Sequence, residues 1–326
     1  GESHLIPNAF GDYLTPSVVS IGKDGTVYVG KIAKERLVTH PEDTVSVFKR
    51  FMGTEKIYSL AGKKYRPEEL SALVLKRLKE DAEHYLGEEI TEAVISVPAY
   101  FNDLARNATK NAGELAGFHV ERIINEPSAA SLYYQCRSQM EDAVMLVFDF
   151  GGGTLDVSLV ECFDNIVEIL AVSGDNHLGG DDVNRAIAEK FLSVNQIDEG
   201  RITNEERASL IRESEKLKRT LTDATEGEME VVIGGQIYQM KLDAKGLLEV
   251  SAKLLEGIGI PLKRAMNDSG YGWEDIDEII MIGGSGKMKI VQNYLQFLSG
   301  KRPRCEIDPD VAVAVGAGMY AGIKER

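Results

Sequence analysis

The segment Asp149-Phe150-Gly151-Gly152-Gly153-Thr154-Leu155-Asp156 constrains this chain more than any other stretch of it. A β-rich apolar run, Val144 to Phe148, leads into it, and an alternating run, Val157-Ser158-Leu159-Val160, leaves it. That pattern predicts two strands joined by a glycine turn. Glycines carry no Cβ, so their backbone N–H groups can approach an anion closely. An Asp stands on each side and a Thr hydroxyl lies inside. The segment therefore combines donors for phosphate with carboxylates for a hard cation, which is what a Mg-nucleotide site requires. The same residues also suit a tight hairpin whose Asp side chains only cap turns.

The rest of the chain sets bounds on that choice. At 326 residues it is long enough for two or more core-bearing domains. Lys and Arg total 37 against 52 Asp and Glu, for a formal charge of -15. Such a balance disfavours nonspecific binding to nucleic acid or to an anionic membrane, because phosphate contacts need clustered Lys and Arg. No apolar run approaches the roughly 20 residues of a membrane helix. Cys136, Cys162 and Cys305 stand at no metal-ligand spacing and predict buried thiols in a reducing, cytoplasmic setting. The five histidines form no cluster, which argues against zinc.

Periodicity predicts an alternating α/β protein. Residues 1–50 read as short strands with turns, among them strands near Ser17–Ile21 and Thr26–Val29 around Lys23-Asp24-Gly25. Pro67 opens a helix with Leu70, Val74, Leu78 and Ala82 on one face. Ala93–Val97 reads as a buried strand, Asn102 as the cap of the next helix, Gly117 as its end, and Val120–Ile124 as another strand. After the glycine hairpin come a strand at Val167–Val172, a helix opened by Gly179-Gly180-Asp181-Asp182, and a helix from about Asn204 to Leu221. A hairpin turning at Gly234-Gly235, a helix near Leu247–Met266 and a strand at Ile279–Ile282 follow. The end is a Gly283-Gly284-Ser285-Gly286 loop, a helix, and a last helix after Asp308-Pro309-Asp310. The division between lobes is expected near residue 137, inside the polar stretch Gln135–Asp142, giving lobes 1–137 and 138–326.

Three glycine-bearing turns, at 151–153, 179–180 and 283–284, could meet at one ligand, and helix N-termini favour anions there. No GxxxxGK[ST] loop occurs, so the site is not of Walker type. The dinucleotide fingerprint is missing after any early strand. Its nearest match, Gly316 to Ala321, lies in the last helix and reads as close helix packing.

Motifs spanning nearly the whole chain resemble the nucleotide-binding domain of DnaK-type chaperones, the 70-kilodalton heat-shock family. They are Val97-Pro98-Ala99-Tyr100-Phe101-Asn102-Asp103, Ile123-Ile124-Asn125-Glu126-Pro127-Ser128-Ala129-Ala130 and the Asp149–Asp156 hairpin. His177-Leu178-Gly179-Gly180-Asp181-Asp182, Glu215-Lys216-Leu217-Lys218-Arg219-Thr220-Leu221, Gly283-Gly284-Ser285 and Asp308-Pro309-Asp310 follow in family order. The opening, with Leu5-Ile6-Pro7-Asn8 and Leu14-Thr15-Pro16-Ser17, is most similar to the HscC branch. The resemblance implies an actin-like ATPase fold of duplicated, ribonuclease H-like lobes. It also implies ATP or ADP with Mg²⁺ as ligands, and work in protein folding and stress response.

Roles follow from the resemblance. Lys49 matches a catalytic lysine acting on the γ-phosphate; taken alone it reads as a surface residue. Glu126 and Asp149 match carboxylates around Mg²⁺, acting largely through its waters. Asp156 would orient the lytic water and share the metal's surroundings, and Thr154 would bond the γ-phosphate. Gly151, Gly152, Gly153, Gly179 and Gly180 would cradle phosphates. Glu215, Lys218, Arg219 and Thr222 would form the base and ribose pocket, closed by Gly283, Gly284, Ser285 and Lys287 with Asp310 nearby. Without the family, Glu215 and Lys218 read as a solvated helix pair worth roughly 0.2–0.5 kcal/mol. The family usually has Arg in place of Lys287 and Pro in place of Lys289, and a guanidinium stacks on adenine better than an ammonium does.

The resemblance also sets expectations beyond the site. Pro98 and Arg106 match a coupling pair, and Arg122, Asn125 and Ser128 match the face that receives J-domain cochaperones. A nucleotide exchange factor is a further expected partner, and nucleic acid and membrane are not. The family's opening strand and Asp-Leu-Gly-Thr-Thr loop have no counterpart, and the chain stops at Arg326 before any peptide-binding domain. The chain is therefore expected to be a fragment, with unfolded clients bound by a domain absent from it. Two readings stand: an ATPase engine, and a nucleotide-responsive binding module with little or no turnover. Sugar kinases and actin-like filaments share the fold class but not these motifs in this order.

Overall fold

The computed structural model describes residues 3–138, 142–163, 166–304 and 308–323. The chain divides into two compact units, Gly1–Gln139 with Val311–Arg326, and Met140–Asp310.

The first unit begins with β1 (Val18–Ile21), β2 (Val27–Val29), α1 (Lys31–Thr39) and β3 (Thr44–Ser46). The strands form an antiparallel sheet in the order β2-β1-β3. Strands β4 (Tyr58–Leu60) and β5 (Lys63–Tyr65) make a small hairpin before α2 (Pro67–Leu86). Val19, Ile21, Phe48, Leu60 and Leu70 pack into one core cluster. Then come β6 (Glu92–Val97), α3 (Asp103–Leu115), β7 (His119–Asn125) and α4 (Glu126–Ser138), with β6 and β7 parallel. Asn102 caps α3 as expected, accepting the Ala105 N–H at 2.9 Å, and Gly117 follows its end at φ 92°. Pro127 sits where a helix N-terminus tolerates it, one residue after Glu126.

The second unit opens on β8 (Ala143–Phe150) and β9 (Leu155–Phe163), the two strands expected on either side of the glycines. With β10 (Ile166–Asp175) they form the sheet β10-β9-β8, extended by β13 (Glu278–Ile282) parallel to β8. Between β10 and β13 lie α5 (Gly180–Val194), α6 (Asn204–Asp223), the hairpin β11 (Glu226–Ile233) and β12 (Gln236–Asp243), and α7 (Ala244–Ser269). Then α8 (Lys289–Ser299) follows β13. Phe148, Phe150, Leu155, Ile187, Phe191 and Leu217 are fully or nearly fully buried in one continuous core. The Gly234-Gly235 turn has φ of 59° and 77°, the left-handed pair a two-residue hairpin loop demands. The architecture is mixed α/β, as the alternating pattern of the sequence leads one to expect.

Several expectations change on inspection. Residues 31–39 are helical, because Lys31-Ile32-Ala33-Lys34-Glu35-Arg36-Leu37 is made of good helix formers, yet only Ala33 is buried, so no apolar stripe announced it. Leu70 and Val74 are buried in α2, but Leu78 on the same stripe is 42% exposed. Strand β6 is half-buried over most of its length instead of enclosed. Cys162 is buried and its thiol pushed up to about 11 by burial, with the Glu161 charge adding to it. Cys136, by contrast, is exposed, and Cys305 lies outside the described residues.

The largest correction concerns the closing helix, α9 (Ala312–Ile323), expected in the second lobe but part of the first unit. It packs directly on α4. A Cβ added at Gly316 would lie 1.8 Å from the Ala129 carbonyl oxygen, so only glycine permits this approach. Close helix packing is thus the role of the glycine pattern at Gly316.

Candidate functional site

In the second unit the three glycine turns do converge. Gly180 N–H donates to Gly151 O at 2.9 Å, and Asp181 N–H to Gly152 O at 2.6 Å, so the first turn of α5 is bonded to the β8–β9 hairpin. A Cβ at Gly179 would stand 2.3 Å from Gly152 O, and one at Gly283 2.5 Å from Phe150 O; neither position admits a side chain. Gly283 also has φ 79° and receives the chain from β13, whose Ile282 is in register with Asp149. A Cβ at Gly180 would collide with Ser285 Oγ at 2.1 Å. Residues 151–153, 179–180 and 283–285 therefore form one compact cradle. At Gly151 an added Cβ would find nothing nearer than 3.8 Å, so the hairpin's outer side has room.

Across the mouth of this hairpin Asp149 and Asp156 are direct partners in the ladder. Cross-strand partners present their side chains on one face, and like charges placed so are destabilising without a compensating charge. Among the described residues no three His, Cys, Asp or Glu side chains converge to hold a metal by themselves. The donor set suits Mg²⁺, which keeps several waters and takes substrate phosphate oxygens with one or two carboxylates.

On α6, Lys218 is 9% exposed and its Nζ donates to Gly180 O at 3.1 Å. Lys218 is therefore a buried lysine and not a solvent-facing one. Glu215 accepts from the exposed Arg219 at 2.7 Å. Thr222 lies one turn beyond Lys218 and donates to its carbonyl at 3.5 Å. Asp181 lies beside this group; burial raises its carboxyl above the ordinary value, against the opposing pull of the Lys218 charge. The short 3₁₀ turn Gly284–Lys287 brings Lys287 Nζ to 2.8 Å from Asp308 Oδ1 and 2.6 Å from Asp310 Oδ2. Burial works to lower the Lys287 pKa, but the two carboxylates outweigh it and raise it. Asp308 and Asp181 were visible as motif residues, and no pattern in the sequence showed that their carboxylates face these lysines.

In the first unit, Lys49 lies in the 3₁₀ turn Phe48–Phe51. Its Nζ donates to Glu126 Oε1 at 2.8 Å, joining the two candidates there. Val47, just before, takes φ 61°, a left-handed conformation that β-branched residues avoid. Arg106 bonds the carbonyls of Phe101 and Ala99 at 2.9 and 3.3 Å and Asn125 Oδ1 at 2.7 Å, fixing the loop after Pro98 to the residue preceding Glu126. Arg122 donates to Tyr320 Oη at 2.6 Å with its guanidinium 5.9 Å from the ring centre, and Ser128 is half-buried on α4.

The site thus consists of a glycine hairpin clamped by a helix N-terminus and flanked by opposed carboxylates. The family model described as Hsp70 protein matches residues 1–326, and the chain belongs to the Hsp70 family. Membership carries the class with it: Hsp70-family domains bind ATP and ADP with Mg²⁺ and act as the ATPases of chaperones. No helix among the described residues is long and apolar enough to cross a membrane.

Proposed function

We propose that this chain binds Mg-ATP and Mg-ADP on the hairpin cradle and serves as the ATP-hydrolysing part of a chaperone that holds and releases unfolded polypeptides. The observation that carries the reading is the placing of Asp149 opposite Asp156 at the mouth of a glycine hairpin. A bound Mg²⁺ would take these carboxylates as part of its surroundings and would offset charge developing on phosphoryl oxygens. Asp149 and Asp156, with Glu126, would hold it largely through water. Gly151–Gly153 would face the phosphates and Thr154 would bond the terminal one. Gly179 and Gly180 contribute by fixing the hairpin, since Gly180 N–H is committed to Gly151 O. Glu215, Lys218, Arg219 and Thr222 would take the base and ribose, with Gly283, Gly284, Ser285, Lys287 and Asp310 on the other side. Lys49 would stabilise charge on the transferring phosphoryl group.

The Lys49–Glu126 bond favours a second reading, a nucleotide-responsive binding module with little turnover, because an ammonium held by a carboxylate is withdrawn from a phosphoryl group. The face with Arg122, Asn125 and Ser128 supports a J-domain partner. Exchange factor, clients and cytoplasmic location are part of the same proposal, as is HscC-like character from the opening residues. Calorimetric titration with ADP tests the common core: one site per chain, tightened by Mg²⁺. Absence of binding would overturn both readings.

A further inference from the structure

Beside the proposed base pocket the second unit holds a cavity of about 210 Å³ between the end of α6, the start of α7 and the segment leading into α8. Two of its walls are Lys218 and Thr222. Its floor is apolar and buried: Leu221, Leu247 and Met288 are 6%, 4% and 3% exposed. Its exposed lining carries the small residues Ala224 and Ala244 together with the polar Asp223, Thr225, Lys289 and Asn293. The cavity thus adjoins the residues proposed to take the base, sharing Lys218 and Thr222 with them.

The hydroxyl at the mouth fixes which edge of a base it meets. Thr222 Oγ1 donates its hydrogen to Lys218 O at 3.5 Å, which leaves its lone pairs as acceptors. The exocyclic amino group is the only N–H donor of an adenine base in a nucleotide. We propose that the amino edge meets Thr222 and that the cavity beyond it receives an apolar group carried on that nitrogen. A singly substituted amino group keeps one N–H for Thr222. The size suits the task, since an apolar cavity of about 150 Å³ already admits benzene. The site thus accepts N6-alkyl and N6-benzyl adenine nucleotides. This inference rests on the adenine-nucleotide reading above and deepens it.

Titration with ADP and with N6-benzyl-ADP, both with Mg²⁺, tests it on the parent chain and on Ala244→Phe and Ala224→Leu, rim changes that fill the cavity. The parent is expected to bind N6-benzyl-ADP at least as tightly as ADP. Each variant should hold ADP within about twofold and lose at least about tenfold for the benzyl analogue. A parent that binds the analogue tenfold more weakly than ADP, or filled variants that keep it, would overturn the cavity assignment alone. A parent that binds neither would overturn the nucleotide reading and this inference together. The parent comparison decides the matter even where a variant fails to fold.

Discussion

Lys49 Nζ lies 2.8 Å from Glu126 Oε1, an ion pair between a short 3₁₀ turn and the first residue of α4. The lysine side chain is 56% exposed and the carboxylate 12% exposed, so the pair sits at the edge of the first unit. In the proposed role a cation there would act on the γ-phosphate transition state and do little for ADP, which lacks that group. Lys49→Ala should slow single-turnover ATP hydrolysis at least about tenfold, or about 1.4 kcal/mol in barrier, with ADP affinity nearly unchanged. Hydrolysis at the parent rate would leave Lys49 a surface residue paired with Glu126 for local structure.

The base pocket gives a second expectation. In the proposed pocket Glu215 and Thr222 would serve the adenosine common to both nucleotides, so Glu215→Ala and Thr222→Ala should weaken ATP and ADP alike. Loss of a hydrogen bond to a charged group implies about 1.5–3 kcal/mol for the Glu215 change. If calorimetry finds both affinities unchanged, the Glu215–Arg219 pair is only a solvated helix contact.

Acid should erase the contribution of the Lys287 cluster to stability. Burial tends to raise the Asp308 carboxyl, but the Lys287 ammonium and the Asp310 N–H outweigh it and hold it below its ordinary 3.8. A depressed acid stabilises the fold above its unfolded value and stops doing so as pH falls through the folded one. Lys287, raised above 10.5, contributes below that value and loses its effect only in strong alkali. The melting temperature of Lys287→Met should therefore fall below that of the parent at neutral pH, and the gap should close below pH 3.8. A gap unchanged down to about pH 3 would mean that Lys287 acts by packing of its stem.

Val47 offers a test of local strain. Its φ of 61° costs a non-glycine residue roughly 1–2 kcal/mol, partly offset by the freedom glycine would add to the unfolded chain, about 0.4–1 kcal/mol. Val47→Gly should raise the urea midpoint, by about 0.5 kcal/mol in stability. A loss above about 1 kcal/mol would show that packing of the valine outweighs its backbone strain.

How much of this was legible in the sequence depends on the kind of signal. The β8–β9 hairpin could be read because alternation and glycines mark it locally. Asn102 and Gly117 announced the ends of α3 by cap chemistry. Helix α1 could not be read, since Ala33 alone is buried and no stripe forms. The assignment of α9 to the first unit depends on the contact between Gly316 and Ala129, nearly two hundred positions apart, which no local pattern encodes. The same holds in the site. The glycine turns were visible separately, but their closure through Gly180 on Gly151 and Gly283 against Phe150 is tertiary. So is the burial of Lys218, whose helical spacing alone favoured a solvated pair.

The most direct measurement is single-turnover hydrolysis of ATP by the protein, with Mg²⁺ and in excess chelator, for the parent and for Asp149→Asn. Carboxylates opposed at the hairpin mouth imply phosphate release that requires Mg²⁺ and falls in Asp149→Asn by more than ADP binding weakens. Full turnover in chelator, or an Asp149→Asn rate equal to that of the parent, would contradict a metal-assisted phosphoryl transfer at this site.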